Sequence, residues 1–197
     1  FGMNVQSRPR ATEDPSELVG RPLRDVAALA KSWNFEDAGI GMAAINAYHS
    51  HPDVALARGF TPCEENNWAR TFHPYAPLVA AAAMPDAAEL NILERNLFEG
   101  DYPDSACEYL LPDMDYVFIS GSAFVNKTMP RLLTLASNAH TVVLGPSTPA
   151  SPALLHAGAT TVISFASAHP ARLEDGLAGR SLRGMYDAGM RVQLSRA

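Results

Sequence analysis

No apolar run in these 197 residues approaches the ~20 that a membrane-spanning helix needs, so the sequence offers no membrane partner. Basic residues form no cluster, and 15 Lys and Arg against 21 Asp and Glu leave a net charge of −6, which argues against nucleic acid. Cysteine is scarce. Cys63 and Cys107 lie far apart, with no CxxC pair and no disulfide framework, and predict two free thiols in a cytoplasmic protein. After Phe1-Gly2-Met3 the chain runs straight into polar, Pro-containing sequence, which does not read as a signal peptide. A G-x-G-x-x-G turn is also missing. Where the first strand of a dinucleotide-binding sheet should stand, the chain has Val79-Ala80-Ala81-Ala82-Ala83-Met84, which favours helix, so a nicotinamide cofactor is not expected. No Ser-His-Asp or Cys-His set can be argued from spacing.

What is present is apolar and finely punctuated. Hydrophobic residues make up 47% of the chain, and 15 prolines with 13 glycines imply many short connections, as suits an α/β protein. Residues up to Arg21 read as irregular or an exposed edge. Leu23, Val26, Leu29 and Ala30 then share one face at helical spacing. A second helix is predicted from about Asn34 or Glu36 to Tyr48, rich in Gly and Ala. Each Gly in a helix interior costs roughly 1 kcal/mol relative to Ala, so Gly39 and Gly41 imply tight packing, or close approach of another backbone or a ligand. His49-Ser50-His51-Pro52 ends that helix and reads as a solvated terminus. The alternative, a His-x-His metal pair, has diverging side chains and no third ligand.

The second half alternates strand and helix, which predicts a doubly wound parallel sheet. The expected strands are 89–94, 116–119, 141–144, 160–165 and 191–194. The expected helices are 105–111, 129–137, 152–156 and 170–178. Tyr116-Val117-Phe118-Ile119 and Thr141-Val142-Val143-Leu144 are apolar and β-branched, as strands buried on both faces should be. Each leads into a loop of small and hydroxyl residues and then a helix start in which a hydroxyl N-cap precedes proline: Thr128-Met129-Pro130 and Ser151-Pro152. Ligands in such folds bind beyond the carboxyl ends of parallel strands, so Ser120, Gly121, Ser122, Asn126, Lys127 and Thr128, with Gly145, Pro146, Ser147 and Thr148, are candidate ligand-binding residues.

Each carries a plainer reading as well. Asn126 and Thr128 suit a helix cap. Lys127 is either an anion-holding or proton-transferring ammonium or a solvated surface residue. Ser147 and Thr148 lie between two prolines in a stiff loop fit for a phosphate or carboxylate, but without the Gly-Lys pair of a Walker loop. Asp101 and Tyr102, in Gly100-Asp101-Tyr102-Pro103, suit a turn or a group holding hydroxyls or a cation at the mouth of the sheet. Asn46 suits a buried hydrogen bond or a ligand contact. Cys107 alone lacks the three or more partners a metal site needs.

Several long motifs carry a family resemblance. Glu99-Gly100-Asp101-Tyr102-Pro103, the run from Asp115 to Leu133, and Gly145-Pro146-Ser147-Thr148-Pro149 resemble the heavy-metal chelation family DUF364. Lys31-Ser32-Trp33-Asn34 and the run from Gly39 to Ala47 resemble its companion domain, DUF4213. The resemblance implies a small α+β domain similar to the front of enolases, residues 1–70, and a Rossmann-like domain, residues 71–197; the connector-like run from Glu64 to Arg70 puts the boundary between Thr61 and Leu78. It also implies an interdomain cleft, with the Gly39–Asn46 helix beside it, that holds a small polar or anionic ligand, a metal or metal chelate being one candidate. The rival expectations are an enzyme acting on a small heterocyclic or nucleotide-like molecule in that cleft, and direct metal handling by Cys107, His73 and carboxylates. A homo-oligomer is compatible with either. Two departures from the family stand out. The first domain looks cut short by two or three strands. Leu78-Val79-Ala80 also runs directly into Ala81, without a strand and turn of roughly a dozen residues. The second departure predicts an omitted stretch, with a spatial break between Pro77 and Met84.

Overall fold

The computed structural model describes residues 14–63, 91–95, 97–177 and 188–196. Its strands are β1 (Thr61–Pro62), β2 (Leu93–Glu94), β3 (Tyr102–Pro103), β4 (Tyr116–Ser120), β5 (His140–Leu144), β6 (Thr161–Ser167) and β7 (Gly189–Ser195). Its α-helices are α1 (Leu23–Ala27), α2 (Phe35–His49), α3 (Pro52–Ala57), α4 (Cys107–Leu110), α5 (Met129–Leu135), α6 (Ala153–His156) and α7 (Pro170–Leu177). The predicted break between Pro77 and Met84, His73 and the boundary near residue 70 lie outside the described residues.

The apolar runs form a mixed sheet in the order β1-β7-β6-β5-β4. β4 pairs with β5 and β5 with β6, both in parallel, which is the Rossmann-like part of the fold. The predicted last strand is longer than the four residues Arg191–Leu194 expected for it and runs antiparallel to β6, with β1 antiparallel beyond it. Thr61–Pro62 therefore joins the same sheet as the second half of the chain. β5 is buried along Thr141–Leu144, as a strand covered on both faces should be. β4 instead alternates, with Val117 and Ile119 buried and Tyr116 and Phe118 half-buried, because it is the last described strand on its side. Val143, Val162 and Val192 stack in neighbouring strands at full burial, each worth roughly 1.5–3 kcal/mol of apolar transfer. Met129, Leu133 and Phe60 pack against the same core.

Helix α2 starts where its cap chemistry dictates. The Asn34 side chain accepts from the Glu36 and Asp37 amides at 2.9 and 3.4 Å, and both acidic residues lie in the first turn. Gly41 presses this helix onto the 3₁₀ turn Ala28–Lys31 that continues α1: a Cβ there would sit 1.9 Å from the Ala30 nitrogen. That is the backbone approach its presence implied. Gly39 does not share it. Nothing lies within 4 Å of a Cβ at that position, so packing does not account for it.

Two connections differ from their sequence signals. β4 passes straight into a 3₁₀ turn, Gly121–Phe124, rather than an open loop. The hydroxyl caps are also absent. Thr128 precedes α5, but its side chain turns back to Asn126, while Pro152 rather than Ser151 occupies the cap position of α6. Cys63 and Cys107 are both free thiols, and no described helix is long and apolar enough to cross a membrane.

Candidate functional site

Strand register brings the two glycine-hydroxyl connections to one level. Ser120 pairs with Leu144, so both chains leave the sheet together at its carboxyl edge. Ser120 caps the 3₁₀ turn, its Oγ accepting from the Ser122 amide at 3.3 Å and the Ser122 hydroxyl at 3.0 Å. The next residue meets the other loop. A Cβ on Gly121 would lie 2.6 Å from both the nitrogen and Oγ1 of Thr148, so only glycine lets the two chains approach.

The loop after β5 is anchored on its sheet side. Gly145 turns the chain at φ 122°, a conformation glycine adopts without strain, and donates to the Ile163 carbonyl at 3.2 Å. The Thr148 amide closes a turn on the Gly145 carbonyl at 2.9 Å, and the Ser164 hydroxyl of β6 donates to the Thr148 carbonyl. Pro146 and Ser147 stay half-buried while Thr148 is fully buried.

Helix α2 grips the opposite side of that loop with residues one turn apart. Asn46 Nδ2 donates to the Ser147 carbonyl at 2.8 Å, and His49 Nδ1 stands 3.4 Å from the Ala150 carbonyl. The same imidazole nitrogen meets Arg58 Nη1, and the Arg58 guanidinium lies over the Tyr48 ring at 5.2 Å. Burial, and then the Arg58 charge, push the His49 pKa below its ordinary value, against the opposing pull of the Ala150 carbonyl. Two atoms here have no partner. Asn46 Oδ1 and Thr148 Oγ1 are sealed from solvent without a hydrogen bond, a condition that costs roughly 1–3 kcal/mol per group.

The other candidates are placed elsewhere or engaged locally. Asn126 Oδ1 accepts from the Thr128 amide at 3.1 Å and its hydroxyl at 2.6 Å, closing a turn. Lys127 sits at φ 67°, uncommon for a side-chain-bearing residue, and its ammonium donates to the Ala30 carbonyl at the end of α1's extension. Burial lowers its pKa. Asp101 Oδ2 accepts from the Phe98 amide at 3.0 Å, the turn-forming role. Tyr102 pairs with Leu93 in the separate two-stranded β2–β3 sheet and stays exposed. The structure thus gathers Asn46, Gly121, Ser147 and Thr148, with Ser120 and Ser122 in the adjoining turn.

Sequence reasoning missed His49, Arg58 and Ser164. Position offered one signal for His49, since it follows Asn46 by three residues and so shares its helix face. For Ser164 the signal was a small hydroxyl in the middle of an apolar strand.

Direct metal ligation finds no set of residues to support it in this region. Among the described residues no three His, Cys, Asp or Glu side chains stand together as a ligand group. The Cys107 thiol is pushed up by burial and then by the Glu108 and Asp104 carboxylates.

Known proteins place this architecture. A crystal structure of a DUF364 protein of unknown function from Desulfitobacterium hafniense matches 96% of this chain and 81% of that one, at 35% identity and a TM-score of 0.80. A second DUF364 structure of unknown function, from Pyrococcus horikoshii, matches 98% of this chain and 80% of its own at a TM-score of 0.73; at 22% identity it speaks for the fold alone. An uncharacterised protein of Methanocaldococcus jannaschii is 27% identical over 146 residues, 69% of this chain, which spans only 56% of that relative's length. Residues 2–49 match the DUF4213 model and residues 74–192 the DUF364 model, both described as "Putative heavy-metal chelation". The chain belongs to the DUF364 family.

Proposed function

We propose that this protein binds a small polar molecule where the Gly121 turn, the loop 145–150 and helix α2 meet. One observation carries the reading. Three segments remote in sequence converge there, and two of the side chains that join them hold buried polar atoms with nothing to bond. Buried polar groups in native proteins are nearly always satisfied, and an unsatisfied pair at a junction of loops beyond parallel strands suits a ligand. The reading extends the family description by giving recognition to hydrogen bonds. Any heavy metal then arrives within the ligand, as a chelate, rather than on protein side chains. A cytoplasmic setting suits the two free thiols.

The test is a thermal-shift screen of untagged protein against heterocycles, small anions and metal chelates, alongside metal analysis of the purified protein. A ligand at a hundred times its Kd should add about 2.7 kcal/mol of stability, and Asn46→Ala should remove most of that gain. A silent screen, together with stoichiometric metal in the purified protein, would sink the proposal.

A further inference from the structure

One imidazole nitrogen faces two partners of opposite polarity. His49 Nδ1 meets Arg58 Nη1, and it also stands 3.4 Å from the Ala150 carbonyl. A ring nitrogen offers one in-plane direction, either a lone pair or an N–H, so it cannot satisfy a donor and an acceptor together. The Arg58 guanidinium has donors only and keeps its charge throughout the accessible pH range. In this arrangement Nδ1 therefore carries the lone pair, and the proton of neutral His49 is on Nε2.

We infer that His49 is a proton-operated selector: neutral, it holds the Arg58 guanidinium, and protonated, it gives Nδ1–H to the Ala150 carbonyl and releases Arg58. The exchange adds a second polar tie between α2 and loop 145–150, one turn beyond the Asn46 bond to Ser147. It needs no ligand, so it stands or falls apart from the small-molecule site proposed above.

Only side chains have to move. The Ser50 carbonyl at the end of α2 accepts from the Ser167 amide of β6 at 2.9 Å, and the Thr148 carbonyl of the loop takes the Ser164 hydroxyl. The Arg58 amide closes α3 on the Ala55 carbonyl at 3.1 Å. Its guanidinium already lies 5.2 Å over the exposed Tyr48 ring, which can keep the cation once His49 lets go.

Charge drives the exchange. Among the described residues the charged group against His49 is Arg58, from the end of α3. Tyr48, on its own helix, presents an uncharged ring at 5.3 Å, while the loop and β6 contribute the Ala150 and Ser167 backbone. His51 and Asp53, at the start of α3, face each other at 3.8 Å. With no described carboxylate to share the new charge, an imidazolium repels the guanidinium beside it. Burial and then Arg58 hold the His49 pKa below 6.5, so the exchange belongs to acid.

The test is residue-resolved NMR of the full chain from pH 8 to 5, following the His49 ring nitrogens, the Ala150 carbonyl carbon and Arg58 Nε. At pH 8 His49 should be the Nε2–H tautomer. On acidification the Ala150 and Arg58 signals should shift with the His49 midpoint, and His49→Gln should abolish both shifts. Arg58→Met removes the charge and should raise that midpoint. An Nδ1–H tautomer at pH 8 overturns the inference. So do Ala150 or Arg58 signals that stay still, shifts that persist in H49Q, or a midpoint that R58M leaves in place. Should the variants fail to fold, or acid unfold the chain before His49 titrates, the tautomer at pH 8 decides alone.

Discussion

Gly39 and Gly41 stand two positions apart in one helix and meet opposite surroundings. At Gly41 a Cβ would collide with the Ala30 backbone, which has no flexible side chain to yield. Gly41→Ala should therefore cost about 3 kcal/mol or more in urea denaturation, near the upper end of overpacking losses. At Gly39 a Cβ enters open space in a helix interior, so Gly39→Ala should add about 0.5–1 kcal/mol in the same experiment. A loss at Gly39 would mean that something not visible in the structure needs that space. Lys127 is the second residue whose role its neighbours define. With its ammonium donated to Ala30, Lys127→Met should lower stability by roughly 1 kcal/mol even without ligand, and unchanged urea midpoints would show that contact to be absent in solution. Neither distinction was legible from residue type. Both glycines read alike in the sequence, and the partner of Lys127 lies in a segment far away along the chain.

Helix α2 shows how far local signals reach. The predicted span, from about Asn34 or Glu36 to Tyr48, lies within about a residue of the observed Phe35–His49, and the Asn34 cap and acidic first turn show why, since capping is settled over three or four neighbouring positions. Its work at the far end was hidden, since Asn46 and Ser147 are 101 residues apart and no periodicity records such a pairing. Acidity should disturb that end first. The folded His49 pKa lies below the unfolded 6.5, through burial and then the Arg58 charge. The folded state therefore binds fewer protons than the unfolded chain, and stability rises with pH. The full contribution of neutral His49 is present above pH 6.5, and it declines as pH falls from there through the lower folded value. Urea midpoints between pH 8 and 5 should show this slope, and His49→Gln should flatten it. A slope unchanged in the variant would assign it to other groups.

At the scale of the whole molecule, three parallel strands were readable because β-branched apolar runs punctuated by helices have few alternatives. The antiparallel return of β7 was not, since a strand carries no mark of its direction. Hydrogen exchange should reveal the resulting hierarchy. β5 and β6 each have a strand on both sides and should protect their amides longest, while the two-residue β2–β3 ladder should exchange first. Equal protection in β2–β3 and β5 would contradict the sheet order. The same order carries a consequence for the nascent chain. Cys63 and Gln193 meet across 130 positions, and β1 has no described strand partner except β7. A ribosome must therefore release almost the entire sequence before that edge can zip. Loops that long close slowly and late, so the β1–β7 edge is among the last pairings of the sheet to form.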